Sequence, residues 1–255
     1  MQPVVRALRL LTALARERSA LTLQELADLQ NLPVSTVHRL VGVLQAEGFL
    51  VRSSHGKLYS LGPAVRGLVA STSSDLVRRI SEPVMRKLNV ATRETVILGE
   101  IVGENAICFA TQEGRRALRM YVQPGSDLPL HAAATGRLLL SDFDDETARS
   151  LLEAHAPLER WTAKTKTDID EVLRHLETVR SRGYDICDDE MQNSTWAVAA
   201  PLIDAGGRIR ASLGLVAPLQ AVRGQEQSAA FTLAVIRAAQ EISDELRALP
   251  MTPPS

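Results

Sequence analysis

The side chains best suited to recognition chemistry lie close together near the start of this 255-residue chain. Ser35, Thr36, His38 and Arg39 place two hydroxyls, an imidazole and a guanidinium within five positions. These groups donate hydrogen bonds and carry positive charge, which suits base edges and phosphates better than bond-making. The forked Arg39 can span guanine O6 and N7 or grip a phosphate. Taken singly, Ser35 and Thr36 read equally well as a solvated helix face. A second basic group, Arg52, His55 and Lys57, surrounds the turn Ser53-Ser54-His55-Gly56.

Catalytic chemistry finds less support. No GxSxG, P-loop, HExxH or GxGxxG pattern occurs. His131 could act as a general base, but no serine or cysteine nucleophile stands at a recognisable spacing, so a structural, helix-opening histidine is the better reading. His155 and His175 are isolated. Cys108 sits in the apolar run AICFA as a buried thiol. Cys187 adjoins Asp188, whose charge raises its pKa. His131, Asp188 and Glu190 could be imagined around a metal, yet their spacing is no ligand signature. No catalytic residue, metal or cofactor is expected.

The elements that must position the first cluster are readable from period and punctuation. A helix runs over 4–16, with Val5, Leu8, Leu11, Thr12 and Ala15 at helical spacing and Leu10 and Leu14 widening the face. Thr22 and Glu25 form a capping box for a second helix that buries Leu23, Leu26 and Ala27. Asn31 and Leu32 turn the chain, and Pro33 occupies a helix start, where no amide donor is required. A third helix spans 34–47, buries Val37, Leu40, Val41 and Leu44, and stops at Gly48. Ser35, Thr36, His38, Arg39 and Gly42 fall on its opposite face. Residues 49–52 and 57–61 alternate around the glycine turn as a two-stranded hairpin. This order is a winged helix-turn-helix, which seats its third helix in a DNA major groove.

The run LPVSTVHRLVGVLQAEGFLVR followed by YSLGP resembles the DNA-binding domain of the IclR family of bacterial transcriptional regulators. LPLHAAATGRLLL (128–140), RGYDICDDE (182–190) and WAVAAPLIDAGGRIRASLGLVAP (196–218) resemble that family's effector domain, in family order and spacing. The resemblance implies an α+β chain: a winged helix-turn-helix over 1–61, a linker helix over 62–75, a GAF-like antiparallel-sheet effector domain over 76–250, and a flexible tail over 251–255. It also implies homodimers or dimers of dimers.

In that family the pocket lies on the concave side of the sheet. Carried over, Ala134 and Thr135 would offer donors to an anionic ligand, Met120 and Leu128 apolar walls, and Asp188 and Glu190 acids on a loop. The acidic triplet 188–190 reads alternatively as a solvated turn, and Met120 as plain core. The chain departs from the family where an Arg-Cys pair is common: it has Trp196 and Ala197. It departs again at the later strand, which reads Gly214-Leu215-Val216-Ala217-Pro218. A more apolar pocket with a stacking indole follows, suited to an aromatic or bulky apolar carboxylate. The alternative is that Trp196 packs outward at a dimer contact.

Composition bounds the rest. Residues 1–75 hold eight Lys/Arg against five acids, a net +3, and the remainder hold 21 against 25, a net −4. A mildly basic head on an acidic body suits DNA contact at one end only. No apolar run reaches the ~18 residues of a membrane span, and no signal-peptide order opens the chain. Two cysteines without a disulfide framework suit a reducing cytoplasm. The expected partners are double-stranded operator DNA, a small-molecule effector and a second copy of the chain, with no membrane. The rival readings are a small-molecule enzyme or metal-binding domain with a vestigial head, and a protein-interaction module.

Overall fold

A computed structural model describes residues 2–17, 20–53, 57–65, 73–222 and 224–248. The chain divides into two compact units, Met1–Asp75 and Leu76–Ser255. Among the described residues no helix is long and apolar enough to cross a membrane. His55, half of the expected linker (66–72) and the tail 251–255 lie outside the described residues.

The first unit contains α1 (Gln2–Glu17), β1 (Leu21–Thr22), α2 (Leu23–Gln30), α3 (Val34–Ala46), β2 (Leu50–Arg52) and β3 (Leu58–Leu61). The capping box forms: the Glu25 amide donates to Thr22 Oγ1, and the Thr22 amide donates to the Glu25 carboxylate at 2.7 Å. Asn31 ends α2 in the left-handed conformation. Leu10, Leu14, Leu26, Val37, Val41 and Leu50 make the core, and burying each such side chain contributes about 1.5–3 kcal/mol.

Two expectations are corrected here. Thr22 caps α2 and also belongs to β1, so the hairpin becomes a three-stranded antiparallel sheet ordered β1-β3-β2. The buried face of α1 is set by Leu10 and Leu14, whereas Val5 and Leu8 remain 45% and 58% exposed. Leu10 and Leu14, expected only to widen the face, are its buried centre; Leu11 packs at its edge, and Val5, Leu8, Thr12 and Ala15 form an outer stripe.

In the second unit, α4 (Ser73–Thr92) leads to β4 (Thr95–Val102) and β5 (Asn105–Gln112). Three helices follow: α5 (Ala134–Leu140), α6 (Asp145–Glu153) and α7 (Ile169–Arg182). Then come β6 (Asp185–Asp188), β7 (Thr195–Ile203), β8 (Ile209–Pro218) and α8 (Gly224–Arg247). The expected helix start at His131 moves to Ala134, because 130–132 form a turn and Ala133 is an extended N-cap. The five strands are antiparallel in the order β5-β4-β8-β7-β6. α4 and α8 pack on one face, through Met85, Leu88, Phe231 and Val235 against Val96, Leu98, Val198 and Leu213. α5, α6 and α7 cover the other, through Leu139, Leu152 and Leu176 against Ile97 and Cys108, and through Ala134 and Leu138 against Ala199.

Candidate nucleic-acid interface and effector face

α3 is 13 residues long, about 20 Å at 1.5 Å per residue. Its inner edge is closed by Val37, Val41 and Leu44, while Ser35, His38, Arg39 and Gly42 are exposed and Thr36 is half-buried. Gly48 takes φ +73°, and the Phe49 amide returns to the Leu44 carbonyl at 2.8 Å, which turns the chain into β2. Gly62 then passes so close to Gly48 that a Cβ there would lie 2.2 Å from the Gly48 carbonyl oxygen. That approach pins the wing to the end of α3. On the wing, Arg52 lies over the Tyr59 ring at 5.7 Å, and Lys57 is exposed. Sequence reasoning missed Val43, which is 64% exposed on the outer side of α3. Its signal was an apolar residue outside the buried stripe of Val37, Leu40, Val41 and Leu44.

The expected effector residues are divided by the sheet. Met120, Leu128, Ala134, Thr135, Ala197 and Gly214 gather on the α5 face. Thr135 turns its methyl to Gly214, where a Cβ would lie 2.6 Å from it. Ala197 packs beside Ala134 and Cys187. Met120 Sδ accepts from Thr195 Oγ1 at 3.8 Å, and the Met120 carbonyl accepts from Thr95 Oγ1 at 2.6 Å. Leu128 meets Gly99.

Trp196 and Asp188 stand on the opposite face, paired across β7 and β6. Trp196 is 3% exposed, packs against Phe231 at 6.3 Å, and belongs to the α4/α8 core. The stacking role expected of it on the α5 face is therefore corrected: alternation along β7 sends residue 197 to α5 and residue 196 away. Trp196 and Asp188 instead line an open groove of about 700 Å³ beside α8. Asp188 is exposed, 3.4 Å from Lys164 Nζ.

Glu190 is on the α5 side but already engaged. Its carboxylate accepts from Arg137 Nη1 and Nη2 at 2.9 and 3.1 Å and from Lys166 Nζ at 2.7 Å. The Glu190 side chain is a structural acid, not a solvated turn. Arg137, which sequence reasoning passed over, is fully buried and also donates from Nε to Asp185 at 2.6 Å. Burial would depress its pKa, but Asp185 and Glu190 more than reverse this and raise it. Burial pushes the Cys108 and Cys187 thiols up, so neither is poised as a nucleophile. Among the described residues no group of three or more His, Cys, Asp and Glu could hold a metal ion.

Residues 69–244 match the family profile described as the bacterial transcriptional regulator IclR C-terminal domain, and residues 3–54 match the IclR helix-turn-helix domain. The chain belongs to the IclR family. It is 32% identical over 227 residues to the HTH-type transcriptional regulator BhcR of Paracoccus denitrificans, covering 88% of this chain and 80% of that one. It is 31% identical over 214 residues to KipR of Bacillus subtilis, covering 83% and 84%. Among solved structures, it superposes on an IclR homolog from Microbacterium hydrocarbonoxydans complexed with 4-hydroxybenzoate. That match has a TM-score of 0.81 and 25% identity over 97% of this chain and 100% of that one. The first two are named as HTH-type transcriptional regulators and the third as an IclR homolog, none as an enzyme. The protein is thus a ligand-responsive, IclR-type transcriptional regulator whose helix-turn-helix domain takes DNA and whose antiparallel-sheet domain takes a small-molecule effector.

Proposed function

We propose that this IclR-type regulator binds a palindromic operator as a homodimer or a dimer of dimers, with one α3 in each of two successive major grooves. The observation that carries this reading is the exposed edge of α3, where Ser35, His38 and Arg39 project from a helix whose other side is core. Ser35, Thr36, His38 and Arg39 read bases, and Val43 offers an apolar contact to a thymine methyl. Arg52, His55 and Lys57 hold phosphates. The outer stripe of α1, Val4, Val5 and Leu8, is 45–66% exposed; it supports pairing of two heads through that helix.

The effector in this reading is a small aromatic or apolar carboxylate held at the α5 face by Met120, Leu128, Ala134, Thr135, Ala197 and Gly214. The apolar character of that set and the 4-hydroxybenzoate complex of the Microbacterium homolog both support it. The effector alters operator affinity only through unequal binding to the two arrangements of the heads.

The test is fluorescence anisotropy on DNA from upstream of the gene, across a salt series, with and without 4-hydroxybenzoate. Sequence-selective binding with a steep salt slope is expected, and Arg39→Ala should weaken it by roughly 1–3 kcal/mol or reduce the slope by about one. Equal affinity for all sequences would overturn the operator reading. An unchanged curve with each of a panel of aromatic carboxylates would overturn the effector class.

A further inference from the structure

The effector domain has a second space beside the segment that leads into α5, sharing Leu128 with the α5 face. A cavity of about 260 Å³ has a floor of Leu128, Leu130, Leu152 and Leu158, each at most 8% exposed. One wall is aromatic: the His131 and Trp161 rings stack with centroids 5.1 Å apart and planes 20° from parallel. Ligand pockets for drug-sized molecules run from about 300 to 1,000 Å³, so this one suits a single ring.

Its polar lining is rich in acceptors. His131 Nε2–H donates to the Glu159 carbonyl at 2.9 Å. Burial holds this imidazole below its ordinary pKa, so it is neutral and Nδ1 carries a lone pair. His155 Nε2–H likewise donates to the Glu104 carbonyl at 2.9 Å. Asp127 and Glu159, both exposed, also line the cavity. Neither Lys nor Arg is among the residues lining the space.

We propose that this cavity is a second small-molecule site, which takes a single-ring aromatic amine. The ring lies against Trp161 and the leucine floor, and the ammonium group faces Asp127, Glu159 and the Nδ1 of His131. A carboxylate of the same shape meets two like charges and no Lys or Arg, so the selectivity is opposite to that proposed for the α5 face. The site also touches the effector machinery. Leu128 and Pro129 pass so close to Gly136 in α5 that a Cβ there would lie 2.6 Å from each of their carbonyl oxygens. An occupant that braces this segment therefore braces α5.

Calorimetric titration of the whole protein with phenethylamine, and in parallel with the near-isosteric 3-phenylpropionate, tests the assignment. Saturable one-site binding of phenethylamine is expected. Trp161→Ala should weaken it at least roughly tenfold, since an aromatic contact and its buried area are lost together. Asp127→Asn and Glu159→Gln, both at exposed positions, should each weaken it roughly two- to fivefold. If phenethylamine fails to saturate at millimolar concentration, or Trp161→Ala leaves its affinity unchanged, the site is refuted. Loss on Trp161→Ala without any effect of the two carboxamide variants overturns the choice of an amine. None of these outcomes depends on the carboxylate reading, because 3-phenylpropionate binding that survives Trp161→Ala reports the α5 face alone.

Discussion

A single guanidinium ties three separate stretches of the effector domain together. Arg137 donates to the carbonyls of His131 and Ala132 before α5, to Asp185 and the Ile186 carbonyl on β6, and to Glu190 on the loop beyond. Removing one partner of a buried ion pair strands the other's charge. Arg137→Met should therefore cost about 3–5 kcal/mol, read as a shift in the urea midpoint of the effector-domain transition; a change within error would mean that His175 and Arg182, which also reach Asp185, suffice alone. His131 gives a second prediction. Burial holds its folded pKa below the ordinary 6.5, so its contribution to stability is complete above that value and declines as pH falls below it. Melting temperatures between about pH 7.5 and 5.5 should fall in the wild type, and fall less in His131→Phe. Neither Arg137's role nor the orientation of Trp196 was legible in the sequence. The partners of Arg137 lie 48 and 53 residues away. The run TWAVAAPLI is apolar at nearly every position because β7 is covered on both faces, so alternation could not assign Trp196 to a side.

At the scale of elements, local signals were the readable ones. The Thr22–Glu25 box, the left-handed Asn31 and the Gly48 stop all act within a few residues, and each delimits its helix. Thr22→Ala should cost about 1 kcal/mol of α2 stability, measured as faster amide exchange confined to 23–30; unchanged exchange would place the stability of α2 in its packing instead. β1 escaped notice because two residues, half of them a cap, show no alternation, and only pairing with β3 makes them a strand. α1 misled for the opposite reason. Leu10 and Leu14 share the helix with the stripe Val5, Leu8, Thr12 and Ala15, and periodicity alone cannot say which stripe meets the core.

For the molecule as a whole, order and spacing of motifs carried the family assignment, and the charge split between head and body agreed with it. The outer stripe of α1 yields the prediction belonging to this scale. Leu8→Glu changes an exposed position and should leave the fold intact, yet weaken binding to a full dyad roughly tenfold while sparing a half-site, as linked binding requires. Equal affinity of variant and wild type for the dyad would remove α1 from the pairing of heads. The placing of the chain's two tryptophans has a practical corollary. Trp161 borders the small cavity, Trp196 sits across the sheet against Phe231, and positions 1–75 have no indole at all. Tryptophan emission is thus blind to direct contact between the head and nucleic acid, and a change in its colour or intensity when a metabolite is added to a protein–operator mixture would originate in the ligand-binding half.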